Sequence, residues 1–393
     1  MIAIFLAPVY ILLNMYLARW VLRWTGACHH LCGTKTFRAA FIVLYALVAS
    51  APLTGFLVQS PYPLRQFLRQ VGNYWFGWML YLVLAVLAVE LALVVIRRVR
   101  GKDFEQMQQV RRVRGGIALV LVCAVSFYGM AQAKRLYVTD YDVTLQGAGE
   151  DMTVALLADL HLGYSTDPAY IEQAVAAIND MQPDLVVIAG DIFDNEYEAV
   201  PEPERIAAAL ASLDSTYGTY ACWGNHDLSE PILAGFTWDT ADENKNDPRM
   251  TEFLEKSSVT LLEDRAVVLP NGVQLVGRCD PARSKKLAAE RLSPAELIEP
   301  LDATRPIFVI DHQPKELEAL AQAGVDLDLS GHTHDGQLFP GNLLMRLLWG
   351  NACGQEQVGE MTSIVTSGLG VWGPDMRVGT RSEVVCISVH FSK

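Results

Sequence analysis

The pattern of polar and apolar positions divides this chain near residue 133. Before that point, four long apolar stretches follow one another, at about 2–22, 39–59, 73–96 and 115–133. Each is near the ~20 residues that cross a bilayer as a helix. The second contains Pro52 and Gly55, which a membrane helix tolerates where neighbours re-satisfy the freed backbone groups. After residue 133 the period changes. "RLYVTDYDVTLQG" alternates like a strand, "DMTVALLADLHLG" is an apolar strand with a polar end, and "PAYIEQAVAAINDM" has helical spacing. "PDLVVIAGDIFD", "EPERIAAALASL" and "GTYACWGNHD" then repeat strand, helix, strand. Further strand-like runs are "VTLLED", "AVVLP", "VQLVGR", "IFVIDHQP", "VDLDLSGHTH", "SIVTSGLG" and "EVVCISVH", with a helix signal in "PKELEALAQAG". Alternating strands and helices followed by more strands predict an α/β layered domain with a partly parallel sheet. The expected organisation is a four-helix membrane domain over 1–133, a linker and leading strand over 134–150, and the α/β domain over 151–393.

Charge sharpens the division. The first 133 residues carry 13 Lys/Arg and three acids, a net of +10, leaving 18 basic and 41 acidic side chains, a net of −23, for the rest. A basic apolar half joined to an acidic polar half reads as a membrane anchor plus a water-exposed domain. The acidic domain is a poor nucleic-acid binder, because attraction to phosphates needs a basic surface. Loop charges predict orientation. Arg19, Arg23, Lys35 and Arg38 border the first loop, and Arg97, Arg98, Arg100, Lys102, Arg111, Arg112 and Arg114 border the third; the second has only Arg65 and Arg69. The positive-inside rule then puts the N-terminus outside and, after four crossings, the acidic domain outside too. The expectation is a multi-pass protein of the cell membrane with an extracytoplasmic domain. The first stretch lacks the basic start and small-residue cleavage site of a signal peptide.

Chemistry-bearing residues collect at predicted strand ends: Asp159 and His161; Asp191 and Asp194; Asn225, His226 and Asp227; His312; His332 and His334. In open α/β sheets, ligands bind beyond the carboxyl ends of the strands. In an extended segment, residues i and i+2 point the same way, so Asp159/His161 and His332/His334 are expected to converge as pairs. Imidazoles, carboxylates and one amide suit a divalent metal such as Mn, Fe or Zn, and the lack of thiolates argues against a structural zinc site. Seven candidate ligands exceed what one tetrahedral ion needs. Two ions bridged by a carboxylate and a water would use them all, and such a pair suits phosphoester hydrolysis by an activated hydroxide.

The blocks "DLH", "GD", "GNHD", "H" before "QP" and "GHTH", in this order over about 150–390, resemble the signature of the calcineurin-like metallophosphoesterases. "ADLHLG", "IDHQP", "GHTHDGQLFP" and "SGLGVWGP" further resemble the bacterial membrane-associated YkuE/YaeI-like subgroup. The resemblance implies two packed mixed β-sheets flanked by helices, with two divalent ions, Mn favoured, at the strand ends. It implies that Asp159, His161 and His334 hold the first metal and Asn225, His312 and His332 the second, with Asp191 bridging. His226 would face the substrate phosphate, with Asp227 orienting its ring, and Asp194 would stand behind the ligands. Ala158 replaces the serine common before "DLH", and Asp335 stands where glycine is common.

The function expected is metal-dependent hydrolysis of a phosphomonoester, phosphodiester or pyrophosphate. An anchored site favours a lipid-linked or envelope substrate beside membrane lipids. The alternative is a membrane sensor that binds a phosphorylated ligand without turnover. Segments 228–258 and 280–300 are the expected substrate-shaping insertions. "CHHLC" at 28–32 matches no standard zinc spacing. Cys222, Cys279, Cys353 and Cys386 are candidates for disulfides that sequence does not pair. Glu90, inside the third span, is read as reaching toward Arg97 and Arg98 rather than as a proton relay, because no second intramembrane charge accompanies it. His390 is read as a strand residue without a role.

Overall fold

The computed structural model describes residues 2–100, 108–147, 149–233, 236–237 and 245–392. It forms two units. The first comprises Met1–Ala131 with Pro231–Asp239 and Gly373–Met376; the second holds the remainder.

The first unit is mainly helical, with α1 (Ile2–Cys28), α2 (Lys35–Ala49), α3 (Ala51–Leu57), α4 (Tyr62–Arg100) and α5 (Gln108–Ala133), and its Pro231–Asp239 segment forms a two-stranded ribbon of β5 (Ile232–Leu233) and β6 (Phe236–Thr237). Among the described residues, two helices, Tyr62–Val99 and Gln108–Ala133, are long and apolar enough to cross a membrane. A third span arises if α2 and α3, bent by 52° at Ser50, count as one. The bend sits where Pro52 enters a first helical turn, the position at which its missing N–H costs nothing. α4 runs for 39 residues, well past the 73–96 stretch. At ~1.5 Å per residue it exceeds a ~30 Å hydrocarbon core, so Arg65 and Arg69 extend its polar end. Glu90 differs from the expectation. Its Oε1 accepts a 2.7 Å bond from Trp20 Nε1 and lies 3.4 Å from Arg114, on another helix, rather than reaching along its own to Arg97 and Arg98. Lys102, part of the third-loop charge, lies outside the described residues.

In the second unit, two six-stranded mixed sheets carry the fold. The first runs β1 (Leu136–Gln146), β14 (Ser382–Ser392), β2 (Met152–Leu157), β3 (Leu185–Ala189), β4 (Thr219–Cys222), β7 (Val259–Leu261). Its neighbours are parallel except β14 against β2. The second runs β12 (Gly354–Val358), β13 (Met361–Val365), β11 (Leu327–Ser330), β10 (Ile307–Ile310), β9 (Gln274–Gly277), β8 (Arg265–Val268), antiparallel only at its two edges. β3, "LVVIA", is buried on both faces, as its unbroken apolar run requires. Alternate side chains face two different cores. Val154, Leu156 and Val187 meet Leu275, Phe308, Ile310 and Leu329 in the core between the sheets. Ala155, Leu157, Val186 and Ile188 pack outward with helices α6 (Pro168–Asp180), α7 (Pro203–Ala211) and α8 (Pro248–Lys256). Each fully buried aliphatic side chain contributes about 1.5–3 kcal/mol, so the strands that deliver the site are firmly held.

The segment 280–300 contains two short helices, α9 (Pro281–Leu287) and α10 (Pro294–Ile298). Ala288 turns left-handed at φ 49° to end the first, and Ser293 opens the second with a capping box. After α11 (Leu317–Ala323) comes α12 (Gly341–Leu348), which the alternation did not predict; nor did it predict β12, whose exposed polar face breaks the pattern. All seven cysteines are free, so the four candidates form no disulfide.

Candidate metal centre

The parallel strands β2, β3, β4, β10 and β11 end together, and each hands its chain to a turn carrying polar side chains. Two groups of donors gather there: Asp159, His161 and His334, and Asp191, His312 and His332, the ligand atoms within each group all lying within 4.8 Å of one another. His161 Nε2 and His334 Nε2 stand 3.0 Å apart. In the other group, His312 Nε2 is 3.1 Å from His332 Nδ1, 3.1 Å from Asp191 Oδ2 and 3.2 Å from Asn225 Oδ1. Asp191 Oδ2 also lies 3.8 Å from His161 Nε2, so this one carboxylate reaches both groups.

Asp159 and His161 share a group as expected, whereas His332 and His334 diverge, one to each group, and strand alternation accounts for neither. Asp159 (φ 55°), His161 (45°), Asp191 (48°), His332 (73°) and His334 (50°) all adopt the left-handed conformation. They are turn residues, not extended ones, so the i, i+2 argument does not apply to them: it pairs Asp159 with His161 correctly but fails for His332 and His334, which enter different groups. Side-chain-bearing residues rarely sit there, and strain of this kind collects at functional sites. Close packing fixes the turns further. A Cβ on Gly224 would come within 2.2 Å of Asp191 Oδ1 and 2.3 Å of its backbone nitrogen, so only glycine fits before Asn225.

Backbone donors lock the carboxylates. His332 N–H donates to both oxygens of Asp159 at 3.0–3.1 Å, and His226 N–H donates to Asp191 Oδ1 at 2.7 Å. Burial disfavours charge on Asp191, yet His312 and His226 hold its carboxyl well below the usual range. Burial likewise opposes charge on His312, but Asp191 and Asp159 carry its pKa well above that of a free imidazole. Burial pushes the Asp159 carboxyl up to about 6. It also drives the pKa values of His332 and His334 far down, keeping both rings neutral with a nitrogen lone pair available. Ring nitrogens that face one another in pairs beside buried carboxylates are the donor arrangement a divalent cation satisfies. The residues present therefore fit the implied metals.

His226 lies next to the first group, its ring 5.2 Å from that of His161. The expected role of Asp227 is corrected here. Its carboxylate accepts from Phe193 N–H at 2.8 Å and Gly224 N–H at 2.7 Å, which pins the β3 and β4 turns together. The ring of His226 is held instead by Asn195, whose Oδ1 lies 2.5 Å from Nδ1. Asn195 is fully buried and also left-handed (φ 62°), four residues after Asp191; its only sequence signal is that placement. Asp194 faces His161, Oδ1 to Nδ1 at 3.6 Å. Two more residues escaped the sequence reading. The fully buried Arg377 donates to the carbonyls of Ser367, Gly368 and Gly370, gathering the "SGLG" loop beside Asp159. Trp349 sets its ring edge-on to His332 at 5.1 Å. Asp335 (φ 49°) donates its N–H to Thr333 Oγ1 and puts its carboxylate 4.0 Å from Arg346.

Of the expected insertions, 280–300 touches the site through Arg283, whose Nη1 donates to the carbonyl of Asp227 at 2.8 Å. Within 228–258, residues 234–235 and 238–244 lie outside the described residues. His390 pairs at the exposed end of β14 with Asp151 at 2.7 Å, away from the centre.

Residues 152–336 match the family model of the calcineurin-like phosphoesterases, spanning every donor named above. The domain is a calcineurin-like metallophosphoesterase. Metal-dependent phosphoesterase chemistry is the activity of that family. The chain is 27% identical to an uncharacterised metallophosphoesterase of Campylobacter jejuni over 76% of each chain. It is 28% identical to a transmembrane protein with metallophosphoesterase domain of Danio rerio, over 69% of this chain and 61% of that one. It is 24% identical to the UDP-2,3-diacylglucosamine pyrophosphatase LpxG of Chlamydia trachomatis, over 48% of this chain and 64% of that one. The helices long enough to span a bilayer and the transmembrane relative together point to membrane association.

Proposed function

We propose that this protein is a membrane-anchored phosphoesterase with two divalent ions, Mn favoured, acting on a phosphorylated substrate carried by a lipid. The observation that carries the reading is the Asp191 carboxylate, whose Oδ2 lies 3.1 Å from His312 Nε2 and 3.8 Å from His161 Nε2, with His226 beside them. Asp159, His161 and His334 would hold one ion and Asn225, His312 and His332 the other, with Asp191 between. Such a pair supplies a low-pKa water and neutralises phosphoryl oxygens.

The chain's own residues do the rest. His226 would donate a proton to the departing oxygen, its ring kept in place by Asn195. Asp227 keeps the Gly224–Asn225–His226 turn against β3. Neutral His332 and His334 present lone pairs, while left-handed turns hold five of the seven donors in place, so little ordering is needed when the substrate arrives.

The lipid-linked substrate is supported by the membrane helices and by the relative whose name gives a diacylated sugar nucleotide as substrate. The membrane part is proposed to be residues 1–133 with four spans, joined through 134–150 to a domain over 151–393 outside the cytoplasm. Loop charge supports that orientation. The competing reading, a sensor that binds a phosphorylated ligand without turnover, has no feature that favours it over this one: every donor and His226 are present. Purified full-length protein loaded with Mn should hydrolyse mono-, di- or pyrophosphate esters, and a panel of lipid and nucleotide phosphoesters should rank them. No hydrolysis of any class would overturn the enzymatic reading.

A further inference from the structure

The helix α12 follows the metal-ligand turn by a few residues and is built inside out. No residue of it is buried. Leu343, Leu344, Leu347 and Leu348 are 53%, 52%, 83% and 65% exposed, at helical spacings that place all four along one side. A water-facing leucine quartet on one short helix is not how a water-soluble surface is built, and contiguous exposed apolar patches mark interaction sites.

Charge and chain connectivity say what covers it. In a domain with a net charge of −23, residues 336–355 contain no carboxylate and one arginine, Arg346. That stretch carries no charge that an anionic lipid surface would repel. The bilayer is also close along the chain. The spanning helix α5 ends at Ala133 and β1 begins at Leu136, with the carbonyl of Ala133 accepting a 3.0 Å bond from Ser382 Oγ of β14. Along the chain, only Lys134 and Arg135 separate that helix from the first strand of the domain.

We propose that α12 is an interfacial membrane contact, its four leucines set among lipid acyl chains and Arg346 at the headgroups. Both ends of the helix are tied to the candidate metal centre. At its start, the turn carrying His332 and His334 leads into it. At its end, Trp349 lies against His332, and Thr333 Oγ1 donates to the carbonyl of Ala352. A lipid beside α12 is therefore a lipid beside the donors of the site. The contact itself does not depend on the phosphoesterase reading, but what it serves does.

The test uses the full-length chain in vesicles of phosphatidylethanolamine and phosphatidylglycerol, doped with a phospholipid bearing a diazirine on its acyl chain. After illumination and digestion, adducts are mapped by mass spectrometry. The expected result is labelling within 341–349 as well as within α4 and α5. Leu347→Glu with Leu348→Glu should lower the 341–349 yield by about tenfold while α4 and α5 adducts stay constant, which shows that the variant is folded and inserted. Labelling confined to α4 and α5 in the native chain would overturn the proposal. So would cross-links joining α12 of two copies in place of lipid adducts. Turnover of p-nitrophenyl phosphate is read on the same vesicles: adducts on α12 without turnover leave the contact standing and count against the enzymatic reading.

Discussion

Two histidine-rich motifs in this chain have opposite fates. "CHHLC", residues 28–32, lies on a surface turn between α1 and α2. His29 and His30 are exposed, and His29 spends its Nδ1 capping the turn at Leu31 N–H. "GHTH", residues 331–334, ends a buried strand, and its rings meet His312, His161 and the reach of two buried aspartates. Both motifs offer imidazoles at close spacing. They differ in whether other strands end at the same place and bring carboxylates. The second motif has those partners because β2, β3, β10 and β11 are parallel neighbours whose polar turns leave the sheets on one side. Spacing proposes a ligand; topology supplies the rest of the site.

That contrast can be broken by mutation, and the largest effect should come from the residue that reaches both groups. Asp191→Asn is expected to lose metal and activity together, by more than about a thousandfold in rate, because it removes charge from both groups at once. Metal analysis alongside turnover checks this. His226→Ala should keep the metal content and lose about 10²- to 10⁴-fold in kcat, the range of a general acid. Equal metal loss in these two variants would refute the role given to His226.

Asn195→Ala should act more weakly, lowering kcat by about 10- to 100-fold with the metals retained, as for residues that orient a catalytic group. Asp227→Ala should instead reduce thermal stability. It strands the Phe193 and Gly224 N–H groups inside the protein, a cost of about 1–3 kcal/mol each. A normal melting temperature with lost activity would return Asp227 to the role the sequence had suggested. Smallest of all, Cys28→Ser with Cys32→Ser should change neither metal content nor rate.

The fold was legible where the period was clean. The buried strands "LVVIA" and "IFVI" and the amphipathic α6 follow from alternation and helical spacing alone. So did the helical character of the first part, although among the described residues two helices, or three with the bent pair, meet the length and apolarity of a span, against the four expected. The donors were legible because they sit at strand ends in a recognisable order. What brings them together was not. Left-handed φ at five donors is invisible in side-chain spacing, since none of the five is glycine. Asn195 was hidden for the same reason, and Asp227 was misread because a carboxylate next to a histidine in sequence need not touch its ring. Arg377 and Trp349 act across folds of chain that no local pattern records. α12 escaped because its leucines face outward, against the rule by which helices are read.

A dinuclear centre built from the strand-end turns would hold two ions per chain. Metal content per chain, measured by mass spectrometry on Mn-loaded full-length protein, tests it most directly when read for the native chain beside Asp191→Asn and His226→Ala. The prediction is close to two ions in the native and His226→Ala proteins and clear loss in Asp191→Asn. A native stoichiometry of one or none, or full occupancy in Asp191→Asn, would contradict it.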